Sequence, residues 1–200
     1  QQAAYELVPP ESRPALHWRI GRLLLARGSS ERIFETVSHL NAGIPTISDD
    51  THRVELADLN LTAARRALRS TAYRSALSHL DTALGLLPAD AWQTHHALTF
   101  QLHLARAEAA YLSIAFDEME KTAAVALAHA DSVLERVSVH EVQIQAYGHR
   151  MQYRELLALG CEVLALLGEG LPAQPTEADV GAWLTRTAAL IGERTPDDLD

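Results

Sequence analysis

LADLNLTAARRALRSTAYRSALSHLDTALGLLP, Leu56 to Pro88, is the stretch that decides the fold. Apolar residues recur three and four positions apart on both sides of the break at Ser70–Thr71, so the spacing predicts two amphipathic helices joined by a tight turn. Ala64 is small enough to let the two helices approach closely, and Ala76, Leu80 and Ala83 present a matching apolar flank before Pro88 stops the second helix. One such pair cannot bury both of its apolar flanks, so neighbouring pairs must stack to complete a core.

The same periodicity continues outward in both directions, and no segment alternates with the period of two that marks a strand. The expected class is therefore all-α, with about nine helices over roughly 13–27, 30–42, 50–69, 72–87, 90–113, 116–130, 132–147, 151–167 and 176–192. Ser12, Ser30, Asp50, Thr71, Asp90, Asp131 and Thr176 are the expected helix starts, because each carries an oxygen that can accept from unpaired N-terminal amides. Thr176 with Asp179 fits a capping box. Gly28, Gly43, Pro88, Gly148 and Gly168 are the expected stops. The proline-bearing segment 170–175 is the clearest linker and 44–49 the next.

Tyr73, Phe116 and Tyr153 fall in register, each an aromatic that follows a break and precedes an apolar residue three positions on: Ala76, Met119 and Leu156. Their separations, 43 and 37 residues, lie in the range of helix-pair solenoids. The first pair, with Ala64, Tyr73, Ala76, Leu80, Ala83 and Pro88, resembles a degenerate tetratricopeptide repeat. Ala107, Phe116, Met119, Ala123 and Ala126 carry the likeness into a second pair; Ile144, Tyr153, Leu156, Gly160 and Val163 carry it, with further departures, into a third. The resemblance implies an α-solenoid of antiparallel helix pairs over 50–170. An N-terminal helical pair (1–49) would join it to an upstream module, and a linker with a C-terminal capping helix (171–200) would follow.

A broader resemblance rests on AAYELVPPESRPALHWRIGRLLL (Ala3 to Leu25), IFETVSHLNAG (Ile33 to Gly43), LADLNLTAARRA (Leu56 to Ala67) and LLGEGLPAQPTEADV (Leu166 to Val180). These strings are similar to the helical region downstream of the ATPase module in bacterial multidomain signalling proteins. Those proteins join a serine/threonine kinase, a predicted ATPase of the signal-transduction class with numerous domains, and a sensor histidine kinase. The resemblance implies a sensing or scaffolding arm. None of that family's catalytic residues can be carried over, because the phosphate loop, the metal-binding acidic strand and the kinase motifs are absent from these 200 residues. The opening at Gln1, with an apolar run at Ala3, Ala4, Tyr5, Leu7 and Val8, reads as a piece of a longer chain.

Composition bounds the partners. A formal net charge of −9 disfavours nonspecific binding to nucleic acid or to an anionic membrane. No run approaches the ~20 apolar residues of a membrane helix. With one cysteine, no intrachain disulfide and no cysteine-based zinc site can form, and a reducing cytoplasm is the expected location.

Enzymatic readings find little support in the residue pattern. Lys121 sits in EMEKTAA without the glycines of a phosphate loop, and no nucleophile elbow occurs. Cys161 lies in the apolar LALGCEVLA, where a packing role is expected. Among ten histidines, His96 and His103 share a helical face but lie two turns apart, too far to chelate one ion directly. His39 and His79 are expected to pack or to face solvent. Asp49 with Asp50, and Asp117 with Glu118 and Glu120, fit helix starts; Asp197 and Asp198 belong to the tail.

What remains is a surface. The tetratricopeptide resemblance implies that the first helix of each pair lines a partner-binding groove: Asp58, Leu61, Arg65 and Arg69, then Gln101, Leu104, Glu108 and Tyr111, then Glu141, Gln145 and His149. Arg65 and Arg69, four apart, would offer planar donor forks to a carboxylate. The expected function is a noncatalytic module for protein–protein interaction or conformational relay within a large bacterial signalling ATPase and kinase. Its partner would be a protein or peptide, including other domains of the parent chain, and it would carry no cofactor. A small-molecule ligand-sensing helical domain is the first alternative and a metal-dependent hydrolase the second.

Overall fold

The computed structural model describes residues 8–28, 32–172 and 174–192, and the expectations for Ser30, the Ala3 to Val8 run before Val8, and Asp197 with Asp198 lie outside them. Ten α-helices follow in order: α1 (Arg13–Ala26), α2 (Ile33–Ala42), α3 (Asp50–Arg69), α4 (Tyr73–Leu86), α5 (Ala91–Thr94), α6 (His96–Leu112), α7 (Phe116–Ala128), α8 (Val133–His149), α9 (Tyr153–Leu166) and α10 (Glu177–Ile191). Single 3₁₀ turns occupy Pro10–Ser12 and Ile44–Thr46, and no strand occurs among the described residues.

The helices pack in consecutive antiparallel pairs, α1 with α2, α3 with α4, α6 with α7 and α8 with α9, in a solenoid-like arrangement. Helices α3, α6 and α8 are also neighbours, so they form one continuous layer. The sequence supplies α6 with two apolar flanks. Leu102, Ala105 and Ala109 join the core of α3 and α4, while Phe100, Ala107, Ala110 and Tyr111 join that of α7 and α8. Alanine dominates these seams because a methyl side chain lets helix backbones approach while still excluding water.

The aromatic register seen in the sequence coincides with one turn built three times. Thr71, Ile114 and Met151 take left-handed φ values of 59°, 63° and 56°. The following amides of Ala72, Ala115 and Gln152 each donate back five residues, to Ala67, Ala110 and Tyr147, at 2.9 Å. This is a Schellman closure, and the residue after it opens the next helix. Thr71 therefore sits in the turn and does not cap α4, whose N-cap position is Ala72. Gly168, at φ 88°, closes α9 with the same bonds, Glu169 donating to Leu164.

Other helix boundaries depart from expectation for identifiable reasons. Asp49, not Asp50, caps α3 by accepting from the Thr51 amide at 3.0 Å. Ser132, not Asp131, caps α8, accepting from the Glu135 amide at 3.1 Å. Ser12 and Asp90 occupy N-cap positions without a side-chain bond. The Thr176–Asp179 capping box forms with both reciprocal bonds. The expected helix over 90–113 divides at His95, where the buried Thr99 hydroxyl donates to the Ala91 and His95 carbonyls. Gly148 lies inside α8, and Gly43 takes a right-handed conformation. What Gly43 supplies is space: a Cβ there would meet the Trp18 backbone at 2.9 Å, so α1 and α2 can cross closely only over glycine.

Candidate interaction groove

The layer α3–α6–α8 carries the residues expected to line a groove. Asp58, Arg65 and Arg69 are exposed on α3; Glu108 is exposed and Gln101 half-buried on α6; Glu141, Gln145 and His149 are exposed on α8. Leu61 departs from the expectation. It is 3% exposed and packs into the core of α3 and α4, although it lies only about 60° round the helix from Asp58 and about 40° from Arg65. Leu104 is half-buried against the core shared by α6 and α7, and Tyr111 is buried with it.

Two contacts tie these residues across neighbouring helices. The Arg65 guanidinium donates to Oε1 of Gln101, joining α3 to α6. The Tyr111 hydroxyl meets Nδ1 of His149 at 2.5 Å, joining α6 to α8. By contrast, Asp58, Arg69, Glu108, Glu141 and Gln145 make no side-chain hydrogen bond or ion pair among the described residues. The face thus presents both charge signs with their hydrogen-bonding capacity unspent, held in place by a buried alanine-rich seam.

The opposite side of the seam is tied internally. Arg106 donates to Asp81 at 2.8 Å and to Thr122 at 2.7 Å, linking α4, α6 and α7 through an open cleft of about 380 Å³. Lys121 pairs with Glu118 at 2.8 Å, which raises the lysine pKa and lowers that of the carboxyl. Trp92, on the short α5, stacks on His129 at 4.1 Å and on His103 at 5.1 Å. Burial, with help from Arg106 and His129, pushes the His103 pKa down to about 4, so this imidazole is neutral at pH 7. His96 lies between Asp131 at 3.3 Å and Glu135 at 3.1 Å. These histidines spread around an indole, and among the described residues no three His, Cys, Asp or Glu side chains gather where they could hold one ion. His39 contacts His17 at 2.8 Å, and His79 contacts the buried Asn60 at 3.0 Å, where desolvation lowers its pKa. Cys161 is a half-buried free thiol on α9.

Sequence reasoning missed one element of this face. Between the ends of α6 and α8, Tyr111, Leu112, Ile114, Phe116 and His149 line a cleft of about 370 Å³. The signal was present in the exposed apolar residues of the turns: Ile114 is 76% exposed and Met151 74%.

No helix among the described residues is long and apolar enough to cross a membrane. No family model matches the chain, and no solved structure matches it significantly. Over 196 aligned residues the chain is 23% identical to hybrid signal transduction histidine kinase G of Dictyostelium discoideum. That alignment takes in 84% of this chain and 6% of the kinase, so the chain spans a small fraction of its relative's length.

Proposed function

We propose that the chain is a noncatalytic, tetratricopeptide-like module that binds a protein or peptide, or relays conformation between domains, within a large cytoplasmic signalling protein. The observation that carries this reading is the face of α3, α6 and α8. Arg69, Glu108, Glu141 and Gln145 stand exposed there without intramolecular partners, on helices immobilised by a buried seam. Surface charges at a stacked-helix face do little for stability, whereas complementary charges on a partner set register and orientation. The similarity to a short piece of a far longer signal transduction histidine kinase supports placement of such a module inside a multidomain parent. A parent with ATPase and serine/threonine kinase domains is the form that the sequence resemblance favours, and its own domains are then natural occupants of the groove.

The test is affinity capture with the purified chain from a lysate of its source organism, comparing wild type with the Arg65→Glu/Arg69→Glu variant. Both side chains are exposed, so melting behaviour stays within about 0.5 kcal/mol of wild type. Loss of specific captured proteins is the expected result; identical capture rejects the basic contact.

A further inference from the structure

The cleft at the ends of α6 and α8 combines apolar walls with a donor whose orientation the fold sets. Leu112, Ile114 and Phe116 form the walls. Burial, with a smaller contribution from Tyr73, raises the Tyr111 pKa above the ordinary phenol value, so its hydroxyl keeps the proton and donates to His149 Nδ1. A neutral imidazole that accepts at Nδ1 carries its hydrogen on Nε2. His149 is exposed, and its Nε2 meets no partner among the described residues, so an N–H donor stands at the cleft margin.

Arg150 follows directly. Its guanidinium lies 5.2 Å from the centroid of the Phe116 ring and is paired with no carboxylate among the described residues. The nearest acids on α7 divide the charge asymmetrically. Glu118 is engaged by Lys121, while Asp117 is exposed and lines, with Arg150, an adjoining cleft that shares Ile114 and Phe116 with this one. At about 370 Å³ the cleft is at the low end of small-ligand pockets, ~300–1,000 Å³, and it opens onto the groove, which suits a side chain from a passing segment.

We propose that this cleft anchors a partner peptide in which an aromatic or branched aliphatic residue stands beside an acidic one. The apolar side chain enters between Leu112, Ile114 and Phe116, and the carboxylate meets His149 Nε2–H and the Arg150 guanidinium. Apolar burial supplies the affinity, and the two donors select an acidic neighbour through charge-assisted hydrogen bonds. The proposal rests on the reading of the chain as an interaction module but does not require the Arg65 and Arg69 row to be occupied.

The experiment is a titration of the isotopically labelled chain, followed by amide chemical shifts, with three end-blocked pentapeptides. One is Gly-Asp-Phe-Glu-Gly, the second replaces Phe by Ala, and the third replaces both acids by their amides. The first is expected to shift amides of 111–116 and 149–151 and to bind about tenfold more tightly than either control. Ile114→Asn removes an apolar wall with a residue that tolerates the left-handed backbone, and Arg150→Gln removes the cation; each is expected to lower affinity about tenfold with no loss of thermal stability. Tyr111→Phe keeps the ring and removes the donor that orients the imidazole, so binding weakens. Equal binding of the three peptides, shifts centred elsewhere, no shifts at millimolar peptide, or variants that bind like wild type would overturn the proposal. So would a concentration-dependent dimer abolished by Ile114→Asn, which would make a second copy the occupant. Failure here alongside Arg65- and Arg69-dependent capture would leave the module reading standing, and the reverse pattern would leave the cleft standing.

Discussion

The α3–α4 pair and the α9–α10 end of the array are written in the same alphabet of leucine and alanine, yet they end in opposite states. On α3 and α4, Leu56, Ala64, Ala76, Leu80 and Ala83 are all fully buried, because α2 and α6 close the pair on either side. On α9 only Val163 is buried, while Tyr153 and Leu157 are exposed; α10 buries nothing and leaves Val180, Leu184, Leu190 and Ile191 in solvent. The difference lies in neighbours. A helix pair in a solenoid has two apolar flanks, and each flank is buried only where another pair covers it. Amphipathic pattern therefore reports capacity for burial, and position in the stack decides whether that capacity is used.

The sharpest attack on this contrast is at its buried side. Leu80→Ala empties a fully buried site shared by three helices, with an expected loss of about 2–5 kcal/mol in urea unfolding. A loss below 1 kcal/mol would mean that the inner pair is no better packed than the end. Next in size is Gly43→Ala, whose added methyl meets the Trp18 backbone at 2.9 Å; separating α1 from α2 is expected to cost ~1–3 kcal/mol. Without that contact the same change would be neutral or stabilising, since the right-handed backbone at Gly43 favours alanine over glycine.

The seam also predicts a pH response. His103 is held neutral by burial, with a folded-state pKa of about 4 against 6.5 for the free side chain. The unfolded chain binds more protons between those values, so this histidine's contribution is complete above pH 6.5 and is lost as pH falls toward 4. Across that window the unfolding midpoint of wild type is expected to fall more steeply with decreasing pH than that of His103→Leu; parallel slopes would reject the buried neutral assignment.

Smaller effects probe the turns and the open end. Ile114→Gly relieves a β-branched residue at φ 63° and is expected to stabilise by up to ~1 kcal/mol, the difference between the left-handed penalty and glycine's extra chain entropy. Thr71→Gly should behave alike if the three turns are equivalent. Smallest of all, Leu157→Ser and Leu184→Ser are expected to change the stability of the isolated chain by no more than about 0.5 kcal/mol, because both side chains are already wet. Repeating those two in a longer chain and finding a cost of kilocalories would show that a further element covers this flank.

Sequence alone determined that the chain is helical, where most helices lie, and that pairs recur in the register of Tyr73, Phe116 and Tyr153. Period, caps and breakers act over a few residues, and a few residues of sequence display them in full. It also placed Asp58, Arg65, Arg69, Glu108, Glu141, Gln145 and His149 at exposed positions of α3, α6 and α8, whereas Leu61, Leu104 and Tyr111 turn toward the core because of where the neighbouring helices lie. Tertiary structure decided the rest: the break at His95, the left-handed backbone at three residues that are not glycine, the space reserved at Gly43, and the meeting of Tyr111 with His149 across 38 residues. Each of these depends on what a distant segment brings to the contact, and no local pattern encodes the identity of a neighbour.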